Sequence, residues 1–348
     1  MTAEALSQGD YQAERLLEYA RASVDPVLRG VVGVLPPKMR RICGYHLGWW
    51  DRSGIREGGD SGKAVRPALV LAAARAAGGA DGMSRALAGA AAVELVHNFT
   101  LLHDDVMDRD DVRRHRATAW SVFGIPDAIL AGDAMQAAAV SVLAGDPHPA
   151  AALATARLID CVIELCEGQS ADIAFEARTD VSLEECLAMA AAKTGALLGC
   201  ACAIGGLYAG ADAADVAALD AFGRELGLGF QLIDDLLGIW GCPEAMGKPA
   251  GGDLAAGKKS LPVVFALTSG TTAGAELRAI YGRRPALSEW DVPRMAGLVE
   301  AAGGRAWAQE AAAERISSAL EQLARVFPEP ERAGELLALA ELVTRRDR

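Results

Sequence analysis

The sequence predicts an all-α protein, a single-domain bundle of roughly a dozen helices spanning residues 1–348. Three observations point there. Alanine-rich stretches such as Leu71-Ala72-Ala73-Ala74-Arg75-Ala76-Ala77 favour helix by intrinsic propensity. No convincing run of alternating β-branched residues marks a strand. Gly, Pro and Asp break the apolar segments at intervals suited to many helices. With 51% of 348 residues hydrophobic, the chain can bury a sizeable core, and with aromatics at 5% that core must rely on aliphatic side chains.

A first helix is expected over residues 11–35, stopped by Pro36-Pro37, and a second from Lys38 towards Trp49-Trp50. Gly54 to Gly62 reads as a polar glycine-rich loop that leads into Lys63-Ala64-Val65-Arg66-Pro67 and a long Ala/Leu helix. Gly78-Gly79-Ala80-Asp81-Gly82 should end that helix, and the next should run from Ser84 to Asp108. Further helices are expected over 127–144, 149–176, 182–207, 212–240, 260–268, 291–301, 304–325 and 330–343. The uncharged run Thr194 to Ala211 approaches membrane-span length, but its Gly and Ala content suits a buried core helix broken near Gly205-Gly206. No stable membrane insertion is expected.

The net charge of −12 argues against general nucleic-acid binding. The seven cysteines contain no CxxC pair and read as buried, reduced thiols of a cytoplasmic protein. Met1 to Asp10 lacks the apolar segment of a signal peptide.

Two pairs of aspartates lie in apolar helical sequence: Asp104-Asp105, followed by Asp108, and Asp234-Asp235 between Leu232-Ile233 and Leu236-Leu237. An ionised carboxylate removed from water without a partner costs several kcal/mol. Asp104 and Asp108 are four apart and share a helix face, while Asp105 lies roughly 100° round. At a helix C-terminus these acids also meet the negative pole of the macrodipole. An open carboxylate pair of this kind suits Mg²⁺, which keeps waters and takes substrate phosphates as further ligands. A solvated helix end would explain the first cluster alone; the second, flanked by apolar residues, is not explained that way. Basic residues suited to diphosphate accompany the acids: Lys63, Arg66, Arg113, Arg114, Lys193, Lys248 and Lys258.

In this order the motifs resemble the trans-isoprenyl diphosphate synthases, the family of farnesyl and geranylgeranyl diphosphate synthases. DDxxD matches Asp104-Asp105-Val106-Met107-Asp108 and, in part, Asp234-Asp235-Leu236-Leu237-Gly238. GKxxRP matches Gly62 to Pro67, the arginine pair Arg113-Arg114, KT Lys193-Thr194, and GQxxD Gly168 to Asp172. FQxxDD matches Phe230 to Asp235, and GKPxGxDxxxxK matches Gly247 to Lys258. Tyr45-His46-Leu47-Gly48-Trp49-Trp50 and Arg345-Arg346-Asp347-Arg348 are similar to actinobacterial members.

The resemblance implies the isoprenoid synthase fold, a helical bundle around a central apolar cavity, in a homodimer. It implies a prenyltransferase that condenses isopentenyl diphosphate with an allylic diphosphate. Asp104 and Asp108 would hold two Mg²⁺ and Asp234 a third, supported by Asp105 and Asp235. Arg113, Lys193, Lys248 and Lys258 would grip the allylic diphosphate, with Thr194 and Gln231 nearby. Lys63, Arg66, His97 and Arg114 would bind isopentenyl diphosphate. Phe99, five before Asp104, and Thr100 beside it would limit chain length, and the pattern implies a twenty-carbon product. His103 reads as structural.

Three departures stand out: Gly238 for the last Asp of the second motif, His115 and Ala117 where Gly and Pro are common, and Cys242 where Asp is common. The alternatives are a farnesyl or longer product, a class I terpene cyclase, and a non-catalytic paralogue.

Overall fold

The computed structural model describes residues 8–58, 62–241, 251–282 and 291–344. These residues are helical almost throughout. In order come α1 (Gln8–Gly33), α2 (Pro37–His46), α3 (Val65–Arg85) and α4 (Leu87–Met107). A two-strand hairpin, β1 (Val112–Arg113) and β2 (Arg116–Ala117), leads to α5 (Ala119–Phe123), α6 (Ile125–Ala144) and α7 (Ala151–Ala177). Then α8 (Leu183–Ala190) passes through a π turn, Ala191–Gly195, into α9 (Ala196–Ala209), and α10 runs from Ala213 to Trp240. The C-terminal part holds Gly252–Ala256, Leu261–Thr268, Thr272–Tyr281, Asp291–Ala301, Gly304–Val326 and Gly334–Thr344.

The chain divides into two compact units. One comprises Met1–Val162, Cys200–Asp220 and Ala324–Leu339; the other comprises Ile163–Gly199, Ala221–Leu323 and Ala340–Arg348. In the first, Leu69, Leu71, Leu95, Leu102, Met135, Leu143 and Tyr208 are fully buried. In the second, Phe175, Leu228, Leu232, Ile233, Leu236 and Val264 form one apolar cluster. Ile239, Leu254, Val263, Leu277, Met295 and Val299 form another.

The expected helices appear with ends shifted by a few residues, and several expectations are corrected. The Gly78–Gly82 stretch does not end α3; the backbone bends at Gly79 (φ 64°, ψ −155°) and helix resumes to Arg85. Gly205-Gly206 does not break α9. Those glycines are points of close approach instead: a Cβ on Gly205 would overlap the Val70 carbonyl, and one on Gly206 would lie 2.7 Å from Leu219 Cδ1. The helix Thr272–Tyr281 was not anticipated, although Thr271 caps it by accepting from the Gly274 N–H at 3.0 Å. Cys166 is exposed, while Cys43, Cys161, Cys186, Cys200 and Cys202 are buried thiols; Cys242 lies outside the described residues. Ile125–Ala144 and Leu183–Ala209 are long and apolar enough to cross a membrane, and 67% of the apolar window of the latter is buried in protein.

Candidate active site

In the first unit, α4 carries the first aspartate cluster at its C-terminal end. Asp104 is partly buried, Asp105 is 1% exposed, and Asp108 is the exposed C-cap whose N–H donates to the Asp104 carbonyl at 2.8 Å. Arg113 Nε donates to Asp105 Oδ1 at 2.6 Å. Burial nevertheless pushes the Asp105 carboxyl above its usual range, against the pull of that guanidinium. Arg113 therefore supports the aspartate cluster directly. Asp105 Oδ2 is buried without a hydrogen-bond partner among the described residues.

The hairpin turn after Arg113 places Arg114 (φ 50°) and His115 (φ 60°) in the left-handed region. Glycine, common at the second position in the family pattern, takes that conformation without steric cost. Arg116 anchors the turn by donating to the carbonyls of Tyr45 at 3.2 Å and Trp50 at 3.1 Å.

Arg114, Gly62, Arg66 and His97 come together in the same unit. Gly62 (φ +92°) lies under the Arg114 guanidinium, so close that an ideal Cβ would sit 2.6 Å from Nη2. This explains glycine at the head of the motif. Lys63 follows, exposed, and Arg66 lies in the first turn of α3. Arg66 Nη1 stands 3.2 Å from His97 Nε2. A guanidinium only donates, so His97 Nε2 accepts and the ring carries its proton on Nδ1. Burial, then the charges of Arg66 and Arg114, hold His97 well below its usual pKa.

Sequence reasoning missed the residues behind this cluster. Glu94 is buried, and burial pushes its carboxyl up against the pull of Arg66. The Asn98 amide donates to Glu94 Oε1 at 3.0 Å. His46 is pushed down to about 3 by burial and by Arg114 and Arg113. The readable signal was Glu94 and Asn98, polar and four apart in an otherwise apolar helix.

In the second unit, Lys193 and Thr194 sit in the π turn Ala191–Gly195. π turns inside α-helices are frequent at functional sites. Glycines admit neighbouring helices to it: a Cβ on Gly168 would lie 2.6 Å from the Lys193 nitrogen, and one on Gly227 2.7 Å from Gly195 Cα. Lys193 Nζ pairs with Asp172 Oδ2 at 2.5 Å, so the aspartate of the GQxxD element holds the lysine. Thr194 Oγ1 donates to Gln231 Oε1 at 2.7 Å, and Gln231 Nε2 donates to Asp235 Oδ1 at 2.8 Å. Asp235 Oδ2 accepts from the Leu261 N–H at 2.8 Å. Both oxygens of Asp235 are thereby used within the protein, whereas Asp234 is only half-buried.

Burial pushes Asp235 up to about 6, with the Lys258 charge opposing. Burial pulls Lys258 down, but the carboxylates of Asp235, Asp253, Asp172 and Asp234 outweigh it and hold the ammonium above its usual range. Lys248 lies outside the described residues.

Gly238 gains a reason from the structure. A Cβ there would overlap the carboxylate of Asp253. Gly238→Asp, which completes the family motif, should therefore destabilise the protein by about 1 kcal/mol, chiefly through like charge, once the Asp253 carboxylate has turned aside. Thermal unfolding with and without Mg²⁺ checks this; a higher melting temperature in the variant contradicts it.

Phe99 is 5% exposed and meets the His103 ring edge-on, with centroids 5.5 Å apart. Thr100 turns its hydroxyl back to the His97 carbonyl at 2.8 Å.

The carboxylates suit a hard divalent cation, since every donor is oxygen. Among the described residues no three of His, Cys, Asp or Glu form a closed metal cage.

The sequence profile of the family described as Polyprenyl synthetase matches residues 58–295. The chain belongs to that family. It is a trans-prenyl diphosphate synthase with the all-α isoprenoid synthase fold. It is 47% identical to a geranylgeranyl diphosphate synthase of Mycobacterium tuberculosis, over 100% of this chain and 99% of that one. It is 45% identical to a (2E,6E)-farnesyl diphosphate synthase of Mycobacterium bovis, over 95% of this chain and 92% of that one. A polyprenyl synthetase from Streptomyces coelicolor A3(2) has a similar crystal structure, with a TM-score of 0.90, 45% identity, and coverage of 95% and 99%.

Proposed function

We propose that this synthase condenses isopentenyl diphosphate with an allylic diphosphate, with Mg²⁺, to give geranylgeranyl diphosphate. The observation that carries the reading is the grouping of Arg66, His97, Arg114 and Gly62 within the first unit, basic groups beyond the lysines assigned to the allylic diphosphate. Condensation needs two diphosphate sites; a terpene cyclase needs one. Lys63, Arg66, His97 and Arg114 bind isopentenyl diphosphate in this reading. Lys193, Lys248 and Lys258 grip the allylic diphosphate, and Arg113 acts through Asp105. Asp104, Asp108 and Asp234 hold the metal, three ions in all, with Asp105 and Asp235 behind them.

Asp104, Asp108 and Asp234 would hold magnesium, which would supply positive charge against that building on the departing diphosphate. Lys193, Lys248 and Lys258 add fixed positive charge that needs no reorganisation as the allylic C–O bond breaks. The bond's electron pair leaves with diphosphate. The isopentenyl double bond supplies the pair for the new C–C bond, and the proton then lost passes to the released diphosphate. The chain Asp235–Gln231–Thr194 polarises the Thr194 oxygen, which, with the Lys193 carbonyl, steadies the cation. Apolar walls keep water from it.

The reading takes residues 1–348 as one catalytic domain and the active form as a cytoplasmic homodimer. Ile129, Leu130, Leu153 and Ile159 of the first unit support a dimer face, being large, apolar and 40–63% exposed. Phe99 forms the floor of the tail site. Phe99→Ala should shift the main product one isoprene unit longer, since one helical turn is about 5.4 Å. An unchanged product distribution removes Phe99 from that role.

Incubation of the pure protein with Mg²⁺, isopentenyl diphosphate and each allylic diphosphate tests the function. Twenty-carbon linear products support it. Fifteen-carbon products correct the chain length, and cyclic hydrocarbons or no turnover overturn the reading.

A further inference from the structure

His103 stands beside the metal-binding cluster, yet nothing in the mechanism uses it. Its ring is fixed from three sides. On one side lies Gly132 of α6, where any Cβ would overlap the imidazole. On the second, His103 Nε2 stands 3.0 Å from the Ile129 carbonyl of α6. That carbonyl only accepts, so Nε2 must carry a proton. On the third side is Phe99, one helical turn earlier on α4, at 5.5 Å between centroids and 83° between planes. Edge-to-face ring pairs hold a preferred geometry beyond their area of contact. His103 is 19% exposed at its side chain and Phe99 5% overall, so the pair is largely enclosed.

We propose that His103 sets product length by holding the Phe99 ring in place as the floor of the tail site, with Gly132 and the Ile129 carbonyl as its supports. This rests on the reading of Phe99 as that floor. His103 touches neither diphosphate nor the reacting carbons; it is a positioning residue for specificity. A smaller side chain at 103 leaves a ring-sized space into which Phe99 can swing. The ring then leaves the tail site and the site lengthens without any change at residue 99.

The test is a product-length analysis of wild type, Phe99→Ala, His103→Ala and the double variant, by chromatography after the diphosphates are hydrolysed to alcohols. The proposal expects His103→Ala to raise the ratio of the next-longer product to the main product several-fold. In the Phe99→Ala background the same substitution should add nothing. His103→Gln keeps a donor for the Ile129 carbonyl while lacking the ring, and it should lengthen products as well. It also serves as the decisive variant should His103→Ala not fold.

A role in stability alone would lower total turnover and melting temperature but leave the ratio unchanged. An unchanged ratio in the folded His103 variants, with Phe99→Ala lengthening products, overturns the proposal and leaves the floor reading intact. An unchanged ratio in all variants overturns both. An effect of His103→Ala that persists undiminished in the Phe99→Ala background also overturns the proposal, since the histidine would then act independently of Phe99.

Discussion

Asp104→Ala should lower kcat by about 10³-fold or more while leaving the fold intact. The loss is that of a metal ligand acting on the charge of the leaving group, and interactions aimed at developing charge carry about 3–4 kcal/mol each. At 1.36 kcal/mol per decade that is roughly 10²–10³ in rate, and loss of a divalent ion adds further. Stability should move little. Asp104 lies only partly buried at the C-terminal end of α4, near Asp105 and Asp108. Carboxylates crowded at the negative pole of a helix do not stabilise it. The melting temperature without Mg²⁺ should stay within a few degrees of wild type. Single-turnover kinetics with saturating substrates, beside a thermal melt, check both halves. A variant that unfolds, or one that turns over within tenfold of wild type, contradicts the assignment.

Asp235→Ala should act on the fold itself and cost about 3–5 kcal/mol of stability, the scale found when one member of a buried charged network is removed. Asp235 is 3% exposed. Its oxygens accept from Gln231 Nε2 and the Leu261 N–H, both at 2.8 Å, and its charge helps balance Lys258. Alanine leaves both donors unpaired and the lysine with less opposing charge.

The same carboxyl should appear in the pH dependence. Burial raises it to about 6 in the folded protein, above the value of about 3.9 expected unfolded. Below pH ~4 both states hold the proton and burial exacts no penalty. From pH ~4 to ~6 the unfolded chain ionises first, so stability contributed by this group falls as pH rises and is lost above the folded value. Without Mg²⁺, wild type should lose stability relative to Asp235→Asn across that window. Paired urea titrations between pH 4 and 7 measure it. A difference that is flat with pH, or that grows in favour of wild type, contradicts the burial argument.

Much of this was legible in the sequence because the chemistry sits in residues whose type is costly where they stand. Asp104, Asp105, Asp234 and Asp235 interrupt apolar helices, and Lys193 interrupts an alanine helix. Such costs are visible without coordinates. What the sequence hid were partnerships and close approaches. Asp172 was visible within a motif, but its pairing with Lys193 depends on two helices meeting. The π turn at Ala191–Gly195 was not read from the sequence; Gly168 and Gly227 bring neighbouring helices against its backbone. The same property of glycine misled the reading of Gly205-Gly206 as a break, since a glycine that admits a neighbour and one that ends a helix look alike in sequence. Gly238 stands in the sequence only as a departure from the motif; the Asp253 carboxylate against it belongs to the fold.

Calorimetric titration of inorganic diphosphate into the protein, with and without Mg²⁺, in wild type, Asp104→Ala and Asp234→Ala, tests the central claim most directly. If both acidic clusters act on one diphosphate through bound magnesium, wild type binds only with the metal and each single variant loses that metal-dependent binding. Binding by Asp234→Ala at wild-type strength and with the wild-type requirement for Mg²⁺ would contradict it.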